Sequence, residues 1–105
     1  MGRKKYAELL RGFRDKLSKK IPISKMILFG SRAKGKPGKW SDFDVIIVSE
    51  SFKGKKSRTR AIGFHDYWNL DYPVDFLCYT PEEFDKLKKQ VSIVKEAVKN
   101  GIEIN

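Results

Sequence analysis

Three short apolar runs constrain the fold of this chain more than any other feature. They comprise residues 26–29 (Met-Ile-Leu-Phe), 43–48 (Phe-Asp-Val-Ile-Ile-Val) and 74–79 (Val-Asp-Phe-Leu-Cys-Tyr). Runs this short, rich in β-branched and aromatic side chains, are typical of buried strands. Gly30 ends the first run, and Pro73 precedes the third, where a missing N–H is tolerated. The sequence therefore predicts a small sheet at the centre of the molecule.

Amphipathic helices are predicted before and after these runs. Residues 4–19 carry apolar side chains at helical spacing, and Pro22 ends that helix. Residues 80–83 (Thr-Pro-Glu-Glu) form a capping box with proline at the first helical position. Ser92 is expected to cap a further helix, which the Asn-Gly pair ending at Gly101 terminates.

Two remaining segments have weaker patterns. Residues 60–70 suit a short helix in their apolar spacing, although Gly63 counts against it. Residues 102–104 (Ile-Glu-Ile) are expected to add a short edge strand. The order of elements predicts an α+β fold in which helices flank a small sheet.

Length and composition limit the class of protein. The 105 residues are expected to form one domain, residues 1–105, and 40% hydrophobic residues are too many for a disordered chain. No apolar run approaches the roughly 20 residues that span a bilayer. Cys78 is the only cysteine, so no internal disulfide can form. These features predict a cytoplasmic protein that does not enter a membrane.

The net charge suggests an anionic ligand. Subtracting 13 acidic from 23 basic residues gives +10. Such an excess favours binding to a triphosphate, a nucleic acid or an acidic partner, but much of it is spread along the chain, and a lysine-rich solvated surface explains most of it. Residues 53–60 (Lys-Gly-Lys-Lys-Ser-Arg-Thr-Arg) are the exception, because their charges are dense enough to form a nucleic-acid contact.

The segment after the first apolar run has the residue types of a phosphate and metal site. Residues 30–35 (Gly-Ser-Arg-Ala-Lys-Gly) form a small-residue turn whose backbone N–H groups and Ser31 hydroxyl can bind phosphate oxygens. Asp42 and Asp44 follow, two residues apart at the start of the second run, so both carboxylates leave the same face of a strand. Two adjacent carboxylates repel each other unless a cation lies between them, and hard oxygen ligands favour Mg²⁺ or Mn²⁺.

Asp75 is a third candidate ligand. A carboxylate within an apolar strand is costly unless it is paired, metal-bound or at an exposed end. If the third strand lies beside the second, Asp75 can complete a three-carboxylate site. The alternatives are that Ser-Asp-x-Asp is an ordinary turn and that Asp75 protects an edge strand from aggregation. Arg32 and Lys34 are candidates for further phosphate contacts. For Lys34, a charge on a solvated loop explains the residue equally well.

The combined pattern resembles the minimal nucleotidyltransferases of the DNA polymerase β-like superfamily. In that family Gly-Ser ends a strand, Asp-x-Asp opens the next, and a third Asp lies on a later strand. Here those positions are held by Gly30 and Ser31, by Asp42 and Asp44, and by Asp75. The resemblance extends from about residue 23 to residue 79 and implies a nucleotidyltransferase fold with a small mixed sheet.

The resemblance also implies a mechanism. Asp42 and Asp44 would bind two divalent ions, and Asp75 would help to hold the ion nearer the attacking oxygen. Gly30, Ser31 and Arg32 would contact the phosphates of a nucleoside triphosphate, expected to be ATP. The resemblance thus implies a catalytic set of Asp42, Asp44 and Asp75, with Mg²⁺ as the cofactor.

The acceptor is inferred from the size of the chain. Larger members of the superfamily hold their acceptor with an additional domain, for which 105 residues leave no room. Minimal members are commonly paired with a HEPN-type toxin, to which they transfer AMP on a tyrosine. The resemblance therefore implies an antitoxin acting on such a partner. A non-catalytic antitoxin that acts by docking, and an enzyme acting on nucleic acid or a small molecule, are the alternatives; the oligomeric state is left open.

Overall fold

The computed structural model describes residues 3–30, 43–68 and 72–104. The helices and strands of this part are, in chain order, α1 (Arg3–Leu17), β1 (Lys25–Phe29), β2 (Phe43–Val48), β3 (Val74–Tyr79), α2 (Pro81–Leu87), α3 (Ile93–Asn100) and β4 (Ile102–Glu103). Single-turn 3-10 helices at Glu50–Phe52, Ser57–Thr59 and Phe64–Tyr67 lie between β2 and β3. The predicted strands 43–48 and 74–79 are confirmed at both ends, and the short helix suspected within 60–70 is the last of the 3-10 turns.

The strands form a mixed sheet in the order β3-β2-β1-β4. β1 is antiparallel to both β2 and β4, whereas β2 and β3 are parallel. A parallel pair needs a crossover connection, which here contains the three 3-10 turns. The C-terminal end of β1 therefore lies at the same end of the sheet as the N-terminal ends of β2 and β3. The predicted α+β fold with a small mixed sheet is confirmed.

One face of the sheet packs against α1 and the crossover. Alternate residues of β1 and β2 point to this face, and they meet a stripe on α1 at helical spacing. The buried side chains are Tyr6, Leu10, Phe13 and Leu17 of α1, Met26 and Leu28 of β1, Phe43, Val45 and Ile47 of β2, Phe52, Phe64 and Trp68 of the crossover, Cys78 of β3, and Ile104 after β4. The larger part of the hydrophobic core is on this side.

The other face is covered by the last two helices. Ile27, Ile46 and Val48 point to it from the strands, and Phe84, Val94 and Ala97 of α2 and α3 bury them. The Thr80 side chain accepts from the backbone N–H of Glu83, and the Glu83 side chain accepts from the backbone N–H of Thr80, so the predicted capping box is confirmed. Ser92 caps α3 by accepting from the backbone N–H of Lys95, as predicted.

Gly101 ends α3, but not through the left-handed conformation that is usual at helix C-termini. Its φ is −82°. A Cβ at this position would lie 2.7 Å from Cγ2 of Ile27 and 2.8 Å from the carbonyl oxygen of Leu28. Glycine is needed here because the chain passes directly against β1 before it pairs as β4. Across the described ranges, no helix has both the length and the apolar character needed to cross a membrane.

Candidate functional site

Two of the three predicted carboxylates lie in the described part of the chain, on neighbouring strands. Asp44 of β2 is paired in register with Asp75 of β3. Residues in register on parallel strands project to the same face, and the strands are about 4.8 Å apart. Asp44 is half-buried, whereas Asp75 is exposed. The sheet therefore brings together two carboxylates that are distant in sequence, which is the adjacency that the predicted three-carboxylate site requires.

Gly30 lies directly against the Asp44 carboxylate. It follows β1, whose last residue, Phe29, is paired with Asp44. Its φ is +82°, a conformation that L side chains rarely adopt. A Cβ at this position would lie 2.5 Å from Oδ2 of Asp44. Two independent features thus demand glycine, and the turn predicted to bind phosphate begins beside a predicted metal ligand.

Replacing Gly30 with alanine is expected to lower both stability and activity. The positive φ alone costs an L residue about 1–2 kcal/mol. The added methyl group must also displace the carboxylate of Asp44, the predicted metal ligand, and a misplacement of about 1 Å in an active site can cost about a hundredfold in rate. Chemical denaturation and a nucleotidyl-transfer assay would measure the two effects.

Gly54 and Gly12 provide matched controls for Gly30→Ala. Gly54 has a φ of +77°, and no atom lies within 4 Å of the position that a methyl group would take, so Gly54→Ala isolates the backbone strain. Gly12 lies within α1 with equally open surroundings, so Gly12→Ala should stabilise the helix by about 0.5–1 kcal/mol. Equal activity of the Gly30 and Gly54 variants would refute the role of the carboxylate contact.

The other predicted site residues, Ser31, Arg32 and Asp42, lie outside the described residues. Among the residues that are described, no cluster of three or more His, Cys, Asp or Glu side chains is suited to a metal ion. Asp44 and Asp75 nonetheless supply hard carboxylate oxygens from one sheet face, which is the donor chemistry that Mg²⁺ prefers. Asp42, two residues before Asp44 in the sequence, stays the predicted third ligand.

An aromatic layer supports the acidic end of the sheet from the opposite face. Phe43 is fully buried, and its ring stacks on Tyr72 with centroids 5.0 Å apart. The Phe43 N–H donates to the carbonyl of Pro73 over 2.8 Å, and the Trp68 indole N–H donates to the carbonyl of Tyr72 over 2.8 Å. The start of β2, where Asp44 lies, is therefore held firmly in place. Trp68 and Tyr72 thus belong to the packing of this side of the sheet.

The structure gives the residues of the basic cluster at 53–60 different roles. Arg60 is buried, and its guanidinium donates to both carboxylate oxygens of Glu83 over 2.5 and 3.2 Å. It also donates to the carbonyl oxygens of Cys78 and Lys55 over 3.1 Å each. The hydrogen bond from Arg60 lowers the pKa of the Glu83 carboxyl below its usual value, and burial opposes this shift. Arg60 thus fastens the crossover to β3 and α2.

Lys53 is also engaged, since its ammonium lies 2.9 Å from a carboxylate oxygen of Glu82. Lys55, Lys56 and Arg58 remain exposed. The cluster is therefore smaller, as a candidate nucleic-acid contact, than its sequence indicates. The structural role of Arg60 was not predicted, because the only sequence signal was the capping-box acid, Glu83, 23 residues away.

The structure also defines the surroundings of Cys78 and His65. Burial raises the pKa of the Cys78 thiol to about 12, so the thiol is held in its neutral form, as expected for a small buried hydrophobe. His65 is exposed, and its ring meets that of Phe76 edge to face with centroids 5.2 Å apart. His65 therefore packs on the surface of β3.

Comparison with known proteins agrees with this geometry. A family model described as a nucleotidyltransferase domain matches residues 10–103. Over 89 residues the chain is 32% identical to the Haemophilus influenzae protein named "Probable protein adenylyltransferase MntA"; the match covers 83% of this chain and 78% of that protein. A crystal structure from Sulfolobus solfataricus, of a protein provisionally assigned as a nucleotidyltransferase, superposes with a TM-score of 0.65.

The structural similarity covers 96% of this chain and 80% of the Sulfolobus chain at 19% sequence identity. At this identity it establishes the fold alone. The assignment of the chain to a family rests instead on the family model and on the Haemophilus relative. The matched region contains both described carboxylates and Gly30, so the paired acids belong to the part of the chain that the family shares.

Proposed function

This chain belongs to the nucleotidyltransferase domain family, and we propose that it transfers AMP from ATP to a tyrosine hydroxyl of a HEPN-type partner toxin, as the antitoxin of that pair. The observation that carries the proposal is the in-register pair of Asp44 and Asp75 with Gly30 against it. The name of the Haemophilus relative supports a protein as the acceptor and AMP as the group transferred.

The chemistry is a displacement at the α-phosphorus of ATP. The tyrosine oxygen forms a bond to that phosphorus, the bond to the bridging oxygen of the β-phosphate breaks, and pyrophosphate leaves with the electron pair. The hydroxyl proton goes to a carboxylate or to water. Asp75 is the exposed carboxylate of the pair. It is therefore suited to lie near the attacking oxygen and to favour the deprotonation of that oxygen.

The residues present fit a divalent cation. Asp44 and Asp75, together with Asp42 from the sequence, would hold Mg²⁺ through carboxylate oxygens. Bound Mg²⁺ supplies neutralisation of the triphosphate charge and of the departing pyrophosphate. Gly30 and Ser31 would bind the phosphates from the turn after β1. The net charge of +10 favours the approach of ATP from solution.

The proposal is tested by mixing the protein with its partner, Mg²⁺ and each of the four nucleoside triphosphates in turn. Mass spectrometry of the partner is expected to show the mass of AMP on a tyrosine with ATP, and no addition when EDTA is present. A partner that binds but gains no mass with any nucleotide would refute the transfer and leave the docking alternative.

A further inference from the structure

A groove lies on the α1 side of the molecule, away from the carboxylates. It runs between the C-terminal end of α1 and the crossover, and its volume is about 620 Å³. Its floor is formed by the buried side chains of Leu17, Phe52 and Phe64. Ile21 and Tyr67, both half-buried, line its walls. The floor of the groove is thus continuous with the main hydrophobic core.

Ile62 stands on the rim of this groove. The residue is 75% exposed, which is unusual for a large β-branched residue. Docking sites for apolar side chains of a partner commonly combine an exposed aliphatic residue with a concave apolar floor, as here. The groove therefore offers an apolar binding area that folding alone does not use.

Basic side chains flank the groove on both sides. Lys20, just after α1, and Lys55, in the crossover, line the groove, and Lys16, Lys19, Lys56 and Arg58 lie within four residues of them in the sequence. All six are exposed, and none forms an ion pair with another residue in the described part of the chain. The acidic residue among those that line the groove is Asp66. A ligand with apolar and negatively charged groups is complementary to this surface.

We propose that this groove binds an acidic amphipathic helix of another protein. Apolar side chains of that helix fill the floor and contact Ile62, and its carboxylates face the lysines of both walls. The walls are built from side chains at a helix end and in turns, so the recognition mode is a helix in a groove rather than strand addition.

The groove and the carboxylates are separate surfaces. Phe52 follows the C-terminal end of β2, whereas Asp44 lies near its N-terminal end. The groove opens on the α1 face, and Asp44 shares its face with Ile46 and Val48, which α2 and α3 cover. A helix in the groove leaves the acidic end accessible, so docking there does not depend on the proposed transfer reaction.

The experiment is a selection from a phage-displayed library of helical peptides with fixed apolar positions and randomised polar positions. The full chain is the bait, and binders of the Ile62→Glu variant are removed. Peptides recovered in this way are expected to carry more Asp and Glu than Lys and Arg at the randomised positions. Recovery of no Ile62-dependent binder, or of binders without an acidic excess, would overturn the proposal.

The best recovered peptide is then titrated against purified variants by fluorescence anisotropy. Ile62→Glu is expected to weaken binding by at least about tenfold, because it removes an apolar contact and adds a repelling charge. Val91 is 98% exposed on the turn between α2 and α3, so Val91→Glu is the matched control and should change the affinity by less than about twofold. Equal losses in the two variants would overturn the assignment to the groove.

A charge reversal tests the role of the basic side chains in the walls of the groove. The double variant Lys20→Glu/Lys55→Glu is expected to lose binding, whereas Lys95→Glu/Lys99→Glu on α3 should retain it. A single-stranded oligouridine is titrated in parallel to test a nucleic-acid surface. If it displaces the peptide and binds the Ile62→Glu variant as well as the unmodified protein, the basic walls serve RNA and the proposal is wrong.

Discussion

Replacing Asp44 with asparagine is expected to lower the rate of AMP transfer by about a thousandfold or more. The amide cannot supply the charge that a divalent cation requires, and the loss of several kcal/mol of transition-state stabilisation corresponds to such a factor. The side chain keeps its size, so contact with Gly30 and the pairing with β3 should persist. Transfer to the partner is measured by mass spectrometry, and folding by circular dichroism.

Asp85→Asn is the control for Asp44→Asn. Asp85 is exposed on α2, where it forms a surface ion pair with Lys88 over 3.1 Å. Its replacement removes the same charge from the chain and should leave the transfer rate unchanged. An Asp44→Asn protein that still neutralises the partner in cells would contradict the enzymatic proposal and favour an antitoxin that acts by docking.

The largest expected effect on stability comes from Glu83. Glu83→Gln leaves the guanidinium of Arg60, whose side chain is only 7% exposed, without its carboxylate. Removing one partner of a fully buried pair costs about 3–5 kcal/mol. Because the Glu83 side chain is 41% exposed, solvent screens part of the interaction, and we expect about 2 kcal/mol. The melting temperature should fall by about 10 °C.

Glu83→Gln separates the ion pair from the helix cap. A capping box accepts glutamine as well as glutamate at its third helical position, so the amide oxygen of the new side chain can still accept from the backbone N–H of Thr80. Glu82→Gln is the matched control, because Glu82 is its neighbour and its ion pair with Lys53 is exposed. Glu82→Gln should not change the melting temperature measurably. A similar fall in both variants would show that net charge, rather than the buried pair, is responsible.

The pH dependence of the stability difference between the unmodified protein and Glu83→Gln gives a second test of the Arg60–Glu83 pair. The folded-state pKa of Glu83 is lowered from 4.5 by the hydrogen bond from Arg60. The contribution of the pair to the unfolding free energy is therefore fully present above about pH 4.5 and is lost as the pH falls through the lowered value. The stability gap between the unmodified protein and Glu83→Gln should close in acid. A gap that is constant down to strongly acidic pH would contradict this assignment.

The secondary structure was predictable because its signals are local. The bounds of β2 and β3 follow from short β-branched and aromatic runs, and the start of α2 follows from four consecutive residues. The acidic motif was predictable for the same reason, since the Gly-Ser turn and the Asp-x-Asp spacing are read within 15 residues of chain. That Asp42, Asp44 and Asp75 act as ligands stays a prediction.

Other features depended on contacts between distant parts of the chain. Arg60 belongs by sequence to a basic cluster, yet burial and Glu83 make it a structural residue. Gly101 has the position of an ordinary helix terminator, yet the nearby backbone of β1 is the reason for glycine. The groove beside Ile62 arises where the end of α1 meets the crossover, and neither segment indicates it alone.

Periodicity, caps and motif spacing thus specified from the sequence alone which strands and helices form and which carboxylates are candidates, because each of these depends on neighbours within one or two turns of chain. The tertiary structure decided which carboxylates meet, which charges are buried and where the apolar groove opens. Asp44 and Asp75 are 31 positions apart, and only the parallel register of β2 and β3 makes them adjacent. That register is set by packing both faces of the sheet, a condition that no single segment contains.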